Sequence, residues 1–201
     1  GAVSPRAALL YSVVLFGGAV VAALLLPPLA IAIAAINLAA LVTYTKVFKG
    51  LPGAGNAVVA YLGGSTFLFG AAAVGAVRAG AVLFVLAALS TFTREVIKDV
   101  EDVAGDRAEG LQTLPIVAGE RRALHAAAVV LVVAVAASPL PYAWGLFGLP
   151  YLVVVVPADL VMLAAAALAY RDPTAGQGWL KYGMFLAALA FVVGRLAVVL
   201  G

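Results

Sequence analysis

Residues 122–139 read RALHAAAVVLVVAVAASP, and after Arg122 this stretch contains no Lys, Arg, Asp or Glu. Its Ala, Val and Leu residues run together instead of alternating with polar residues, which indicates a helix and not a half-buried or barrel strand. An apolar helix needs about 20 residues to cross the hydrocarbon core of a bilayer. The stretch is therefore predicted to be a membrane-spanning helix.

Stretches of the same kind fill the rest of the chain. The composition is 66% hydrophobic and 10% charged, with a mean hydropathy of +1.17. Soluble domains carry about 25% charged residues, so this composition excludes a soluble surface. Turn-forming residues separate the stretches, for example at Pro27-Pro28 and Arg171-Asp172-Pro173. The predicted spans are 7–26, 28–47, 56–77, 80–98, 122–139, 146–170 and 179–200.

The predicted fold is therefore all-α, a polytopic membrane bundle of about seven helices that forms a single domain over residues 1–201. The chain has no cysteine, which excludes disulfides and thiolate metal sites. The sequence contains no separate soluble domain and gives no indication of a nucleic-acid partner. Membrane lipid is the surrounding partner that the composition implies.

The basic residues are distributed unequally between the two ends of the predicted helices. Ten of the twelve fall at one end and only Arg78 and Arg195 at the other. Basic residues concentrate on the cytoplasmic side of membrane proteins, so the richer end is predicted to face the cytoplasm. The ten residues are Arg6, Lys46, Lys49, Arg94, Lys98, Arg107, Arg121, Arg122, Arg171 and Lys181.

The segment Arg94–Arg107, REVIKDVEDVAGDR, lies at that end and contains most of the acidic residues. Six of the nine acidic residues of the chain fall between positions 95 and 109. In a helix, Glu95, Asp99, Asp102 and Asp106 would follow at i, i+4, i+7 and i+11 and so share one face. Carboxylates suit Mg²⁺, which completes its coordination with water and substrate phosphates, so one hypothesis is a Mg²⁺–diphosphate site. The alternative is a solvated acidic segment that pairs with its own interleaved basic residues.

Basic residues near this segment are candidates for phosphate binding. Tyr44, Lys46 and Lys49 end the second predicted span at the same face, and a lysine acts as a point charge on phosphate. The alternative is that these lysines only fix topology and attract anionic lipid.

Three segments carry a resemblance to a known family. Residues 94–107 together with Gly110–Ile116 (GLQTLPI) resemble the second aspartate-rich motif of the UbiA superfamily of intramembrane prenyltransferases. Residues 44–52 (YTKVFKGLP) and 55–70 (GNAVVAYLGGSTFLFG) are similar, more narrowly, to the archaeal digeranylgeranylglyceryl phosphate synthases of that superfamily. The resemblance extends over essentially the whole chain.

The chain departs from the superfamily pattern in one respect. Members have about nine transmembrane helices and a first motif, Asn-x-x-x-Asp-x-x-x-Asp, which does not occur in residues 1–201. The opening residues Gly1–Leu9 resemble the segment that follows this motif. We therefore expect the first two helices and half of the metal site to be missing here, and residues 1–201 alone to be inactive.

The resemblance implies a reaction and its participants. Mg²⁺ held by Asp99, Asp102 and Asp106 would bind a prenyl diphosphate, expected to be geranylgeranyl diphosphate, and assist departure of diphosphate. The acceptor would be a lipid phosphate, expected to be geranylgeranylglyceryl phosphate, in membrane ether-lipid synthesis. These three aspartates are the expected catalytic and metal-binding residues. The expected substrate-binding residues are Tyr44, Lys46, Lys49, Arg94 and Lys98, at the cytoplasmic face of the cell membrane.

Other interpretations of the sequence remain open at this stage. The acceptor could be an aromatic ring, as in quinone or chlorophyll pathways, and the chain could be a non-catalytic homologue. A small membrane transporter is a further alternative, although polar residues at mid-membrane, which transporters use, are few.

For several single residues the interpretation is a separate question. Asp159 in the sixth span either faces a cavity or is neutralised or bonded to backbone near Pro157. His125 is taken as structural. Tyr61, Phe67 and Phe69 either line a substrate tunnel or pack between helices.

Overall fold

The computed structural model describes residues 4–200. Residues 1–3, which begin the opening segment compared with the superfamily, and residue 201 lie outside the described residues. Within residues 4–200 every regular element is helical, in agreement with the all-α prediction. The helices are α1 (Pro5–Leu24), α2 (Pro28–Thr43), a π-helical turn (Tyr44–Phe48), α3 (Ala54–Ala73), α4 (Val77–Glu101), α5 (Val103–Ala108), α6 (Leu114–Ala118), α7 (Glu120–Ala137), α8 (Leu140–Ala143), α9 (Leu149–Leu168) and α10 (Pro173–Leu200).

Seven helical stretches of residues 4–200 are long and apolar enough to span a membrane, which confirms the predicted number. They are Pro5–Leu24, Pro28–Phe48, Ala54–Ala73, Val77–Glu101, Glu120–Ala143, Leu149–Leu168 and Pro173–Leu200. Most boundaries lie within a few residues of the predicted ones, because proline, glycine and charge end an apolar helix wherever they occur. The chain is a multi-pass membrane protein.

Two boundaries differ from the prediction, and both differences affect the candidate site. The segment after Lys98 is helical through Ala108 apart from a turn at Asp102, and the amides of Asp102 and Asp106 donate to the carbonyls four residues earlier at 2.9 Å. The last helix begins at Pro173, six residues before the predicted start. There the Asp172 side chain accepts a hydrogen bond of 2.9 Å from the Ala175 amide and so caps the helix.

The core of the bundle lies where α4, α7, α9 and α10 meet. Buried apolar side chains from all four helices pack there, among them Ile97, Leu131, Met162 and Leu180. The Thr93 hydroxyl also donates to the backbone carbonyl of Ala127 at 3.2 Å and links α4 to α7.

Helices α3 and α4 pack closely through small residues. A methyl group on Gly64 would lie 2.5 Å from the Phe84 carbonyl oxygen, so only glycine permits this approach. Helix α2 packs on α3 through Ala30, Ile33 and Ala72. Helix α1 has no buried residue, and its apolar side chains face outward, as expected of surfaces in contact with lipid.

Candidate functional site

A polar cleft lies where α3, α4 and α5 meet the π-helical turn. Its volume is about 130 Å³. The acidic side chains that line it are Glu95, Asp99, Asp102 and Asp106, and the remaining polar side chains are Tyr44, Lys49, Asn56, Lys98 and Thr113.

The helical geometry of α4 brings the carboxylates together. Glu95, Asp99 and Asp102 lie on successive turns of one face, and α5 continues closely enough in line to add Asp106. The predicted alignment of four acidic residues is therefore present in the structure. The segment contains no proline, and only a turn at Asp102 separates α4 from α5.

The wall opposite α4 depends on close contact between two loops. Gly50 follows the π-helical turn with a φ of 80°, and its carbonyl accepts a hydrogen bond of 2.9 Å from the Gln112 amide. A Cβ atom on Gly50 would lie 2.6 Å from Cδ2 of Leu111. Glycine is required at this position by both the positive φ and the close contact, and it fixes Lys49 beside the loop that follows α5.

Two aspartates of the cleft are hydrogen-bonded to neighbouring side chains. The buried Asn56 amide donates to Oδ2 of Asp99 at 2.8 Å, and the Lys98 ammonium donates to Oδ2 of Asp102 at 2.7 Å. In addition, Lys49 lies 3.9 Å from Glu109 in a solvent-exposed pair. The cleft thus contains both carboxylates and ammonium groups, as a site for a metal with phosphates requires.

Within residues 4–200 the aspartates do not form a ready-made metal centre. No group of three acidic or histidine side chains is close enough to hold a metal ion. The predicted ligands share one cleft, where Asp99 and Asp102 each have a hydrogen bond to one of their two carboxylate oxygens.

Two lining residues were not identified from the sequence. Asn56 orients Asp99, and the hydroxyl of Thr113 is buried without a hydrogen-bond partner in the described part of the chain. A buried unpaired hydroxyl is costly, so Thr113 is suited to bind an oxygen or a hydrated ion that enters the cleft. Both lie in motifs quoted above, but nothing local in the sequence indicates which way they face.

A second and larger cavity, of about 420 Å³, lies next to the cleft between α3, α4, α7, α9 and α10. Its walls are mainly apolar and include Phe67, Leu86 and Val155. Arg94 lines this cavity and not the carboxylate cleft, which corrects its predicted position beside the aspartates. Because residue 94 precedes residue 95 by about 100° around the helix, Arg94 and Glu95 face different spaces. Their side chains nevertheless pair at 2.8 Å and so connect the cavity with the cleft.

Lys46 is also placed differently from the prediction. It is exposed and does not line the cleft, whereas Lys49 and Tyr44 do. The helix after Thr43 has π geometry, in which the Lys49 amide bonds the Tyr44 carbonyl at 2.8 Å, and Lys49 then leaves the helix with ψ at 120°. The two lysines therefore do not share a face as regular α-helical spacing predicts.

The far end of the cavity is closed by a polar group and aromatic rings. Asp159 is buried, lines the cavity and forms a hydrogen bond of 2.5 Å with the Ser138 hydroxyl. The Tyr151 hydroxyl donates to the Ser138 carbonyl at 2.6 Å. Asp159 thus faces the cavity, and its bonding partner is a side chain on the neighbouring segment instead of backbone freed by Pro157.

Comparison with known proteins identifies the family. Residues 1–189 match the UbiA prenyltransferase family. The chain belongs to this family. The digeranylgeranylglyceryl phosphate synthase of Natronomonas pharaonis is 68% identical over 200 residues, which cover 99% of this chain and 72% of that protein. The digeranylgeranylglyceryl phosphate synthase of Methanopyrus kandleri is 46% identical over 200 residues, covering 98% and 73%.

A solved structure is also similar. It comes from work described as structural and mechanistic insights into the biosynthesis of digeranylgeranylglyceryl phosphate synthase in membranes. The TM-score is 0.83 at 37% identity, and the match covers 98% of this chain and 72% of that one. Family membership favours the prenyltransferase interpretation over the transporter alternative.

The remaining candidates from the sequence lie in different surroundings. Phe67 lines the large cavity, but Tyr61 packs edge-on against Phe84 at 5.8 Å between ring centroids, and Phe69 packs on the α2–α3 contact. His125 is exposed beside Tyr170 and belongs to no metal-binding group in the described residues. Of the three aromatic residues, Phe67 is the one that lines the cavity.

Proposed function

We propose that the protein transfers a geranylgeranyl group from its diphosphate to the free hydroxyl of geranylgeranylglyceryl phosphate. Family membership and the names of the relatives support the reaction class and the substrates. The observation that carries the proposal is that Arg94, which lines a largely apolar cavity, pairs with Glu95, which lines the polar carboxylate cleft. A prenyl diphosphate needs both environments, one for its charged group and one for its chain.

The cleft has the donor chemistry that Mg²⁺ requires. Asp99, Asp102 and Asp106 offer carboxylate oxygens, and Thr113, whose hydroxyl has no partner in the described residues, is a fourth side chain with an oxygen in the same cleft. We assign the metal to these three aspartates. When bound, Mg²⁺ would neutralise the negative charge that develops on the departing diphosphate.

Side chains of the chain itself supply the rest of the binding energy and orientation. Lys49 and Lys98 line the cleft and are placed for phosphate oxygens, and Tyr44 offers a hydroxyl beside them. Once Lys98 has left Asp102, its ammonium can pair with phosphate instead. Asn56 keeps Asp99 oriented through its hydrogen bond.

The proposed step forms one bond and breaks one bond. The acceptor hydroxyl oxygen bonds to the allylic carbon, diphosphate departs with the electron pair of the broken carbon–oxygen bond, and the hydroxyl proton is lost to solvent or diphosphate. The apolar walls of the cavity keep water away from the electron-poor carbon, which would otherwise be hydrolysed.

The proposed orientation places the cleft at the cytoplasmic face of the cell membrane. The cleft lies at the end of the bundle where basic residues predominate, and phosphorylated metabolites and Mg²⁺ are cytoplasmic.

The aspartate assignment is tested with Asp102→Asn in the full-length protein. Release of pyrophosphate and formation of the diether phosphate are measured with geranylgeranyl diphosphate, geranylgeranylglyceryl phosphate and Mg²⁺. We expect activity to fall about 100-fold or more, because charge stabilisation by a bound metal contributes several kcal/mol. The matched control is Glu120→Gln, an exposed carboxylate at the start of α7 that lines neither space, which should retain activity. Undiminished turnover in Asp102→Asn, or in excess chelator, would contradict the assignment.

A further inference from the structure

The large cavity has a cationic end that the carboxylate cleft does not account for. Arg94 and Lys181 both line it, from α4 and α10, near the end of the bundle that carries the cleft. Lys181 forms no ion pair within the described residues. Lys181 lies in the first half of α10, where it lines the cavity and is also exposed at the surface of the bundle.

The Arg94 guanidinium is held in position but is not fully bonded. Its Nη1 donates to Glu95 at 2.8 Å and its Nη2 to the Gln177 side chain at 3.1 Å, while its buried Nε has no partner in the described part of the chain. A buried unpaired N–H is costly, and arginine presents its donors in a planar fork that matches phosphate. The arrangement leaves a donor available for an oxygen that enters the cavity.

The charge and polarity of the remaining cavity lining indicate which class of ligand the cavity fits. The other charged group that lines it is Asp159, which is bonded to Ser138 at the end of α7 opposite to the cleft. Glu95, on the cleft side, is the one carboxylate that pairs with either cation in the described residues, and the rest of the cavity lining is mainly apolar. Such a space fits an amphiphile with a compact anionic head and a long apolar chain. The diphosphate of the donor already has a separate place among the carboxylates and lysines.

We infer that Arg94 and Lys181 bind the phosphate of the lipid acceptor, a long-chain lipid monophosphate, whose hydroxyl-bearing end enters the apolar cavity beside the reacting end of the donor chain, with Gln177 as a positioning residue for Arg94. The inference rests on the proposed function and adds to it a separate subsite for the acceptor. The Arg94–Glu95 pair then lies between the acceptor phosphate and the metal-binding carboxylates. In this position the pair separates the acceptor phosphate from the donor diphosphate, while the acceptor hydroxyl and the allylic carbon of the donor can still meet.

The test compares Lys181→Gln and Arg94→Gln with Arg171→Gln, an exposed residue of the α9–α10 loop that lines neither space. In the full-length protein, the KM for geranylgeranylglyceryl phosphate should rise about tenfold or more in the first two variants, as expected for losing a hydrogen bond to a charged group. The KM for geranylgeranyl diphosphate should stay within about twofold of the wild-type value. A donor KM that rises as much as the acceptor KM, or more, would assign both cations to the diphosphate and overturn the inference.

A binding measurement separates this inference from the reaction itself. A saturated long-chain alkyl phosphate has the head group but no hydroxyl to prenylate, and its binding is followed by tryptophan fluorescence without any donor present. Lys181→Gln should weaken this binding about tenfold and Arg171→Gln should not. Unchanged binding in Lys181→Gln contradicts the subsite even if the enzyme is active, whereas weakened binding supports it even if the proposed reaction fails. Arg94→Lys, which keeps the charge, replaces Arg94→Gln if the latter does not fold.

Discussion

The Asn56 side chain is buried at the start of α3 and donates a hydrogen bond of 2.8 Å to Asp99 across the gap to α4. It is the only side chain seen to bond Asp99 in the described residues, so it fixes which oxygen of that carboxylate faces the cleft. If Asp99 binds Mg²⁺, Asn56 is the outer partner that orients this ligand. Outer partners of this kind affect metal affinity almost as strongly as some ligands do.

We therefore expect Asn56→Ala to raise the Mg²⁺ concentration needed for half-maximal activity by about 10-fold to 100-fold. The measurement is the initial rate of prenyl transfer against free Mg²⁺ in the full-length protein. The matched control is Asn37→Ala, which removes an amide that accepts a hydrogen bond of 2.9 Å from Ser65 on α3 and does not line the cleft. The same Mg²⁺ dependence in both variants would show that Asn56 does not act through the metal.

At the scale of the element, the π-helical turn Tyr44–Phe48 decides which lysine belongs to the site. It widens the last turn of the second span and ends it at Lys49, so that Lys49 lines the cleft and Lys46 points away from it. The π geometry is common at functional sites, since one extra residue per turn shifts the direction of the side chains that follow. Here that shift separates two lysines that are three residues apart.

Lys49→Ala should accordingly raise the KM for the prenyl diphosphate several-fold more than Lys46→Ala, because only the first variant removes a charge from the cleft. Removal of a topology anchor should change neither KM nor kcat. Steady-state kinetics of both variants with varied geranylgeranyl diphosphate make the comparison. Equal and small effects would mean that both lysines serve only as membrane anchors.

At the scale of the whole molecule, the seven spans and the distribution of charge set the orientation. Arg78 and Arg195 lie at the end of the bundle opposite to the cleft, and the remaining basic residues of the described chain lie toward the cleft end. Two of these, Arg94 and Lys181, lie within α4 and α10 and line the large cavity. The excess of basic residues at the cleft end is large enough that the predicted orientation does not depend on these two residues.

The absence of cysteine from this chain makes the orientation directly measurable. Glu109→Cys lies after α5 and Trp144→Cys lies between α8 and α9, and both positions are exposed. A membrane-impermeant maleimide added to intact cells should label Trp144→Cys, and should label Glu109→Cys only after the membrane is opened. Labelling of Glu109→Cys in intact cells would place the cleft outside and contradict the proposed cytoplasmic site.

The number of spans, their approximate ends, the favoured orientation and the acidic alignment could all be predicted from the sequence. Each depends on a local property: the hydropathy of about 20 consecutive residues, the residues that end a helix, or the spacing of side chains along one helix. Glu95 and Asp99 share a face because of α-helical periodicity within α4, and Asp106 lines the same cleft from α5, after the turn at Asp102. The helical continuation past Lys98 is also a local property, because its hydrogen bonds join residues of the segment itself.

Only the tertiary structure decided which side chains meet across helices. It placed Arg94 in the apolar cavity, excluded Lys46 from the cleft, and brought Gln177 and Lys181 of α10 toward α4. It also paired Asn56 with Asp99 and Ser138 with Asp159. These contacts depend on how far each helix is rotated about its axis and how closely glycines let two helices approach, and both result from packing over long sequence separations, which no local pattern encodes.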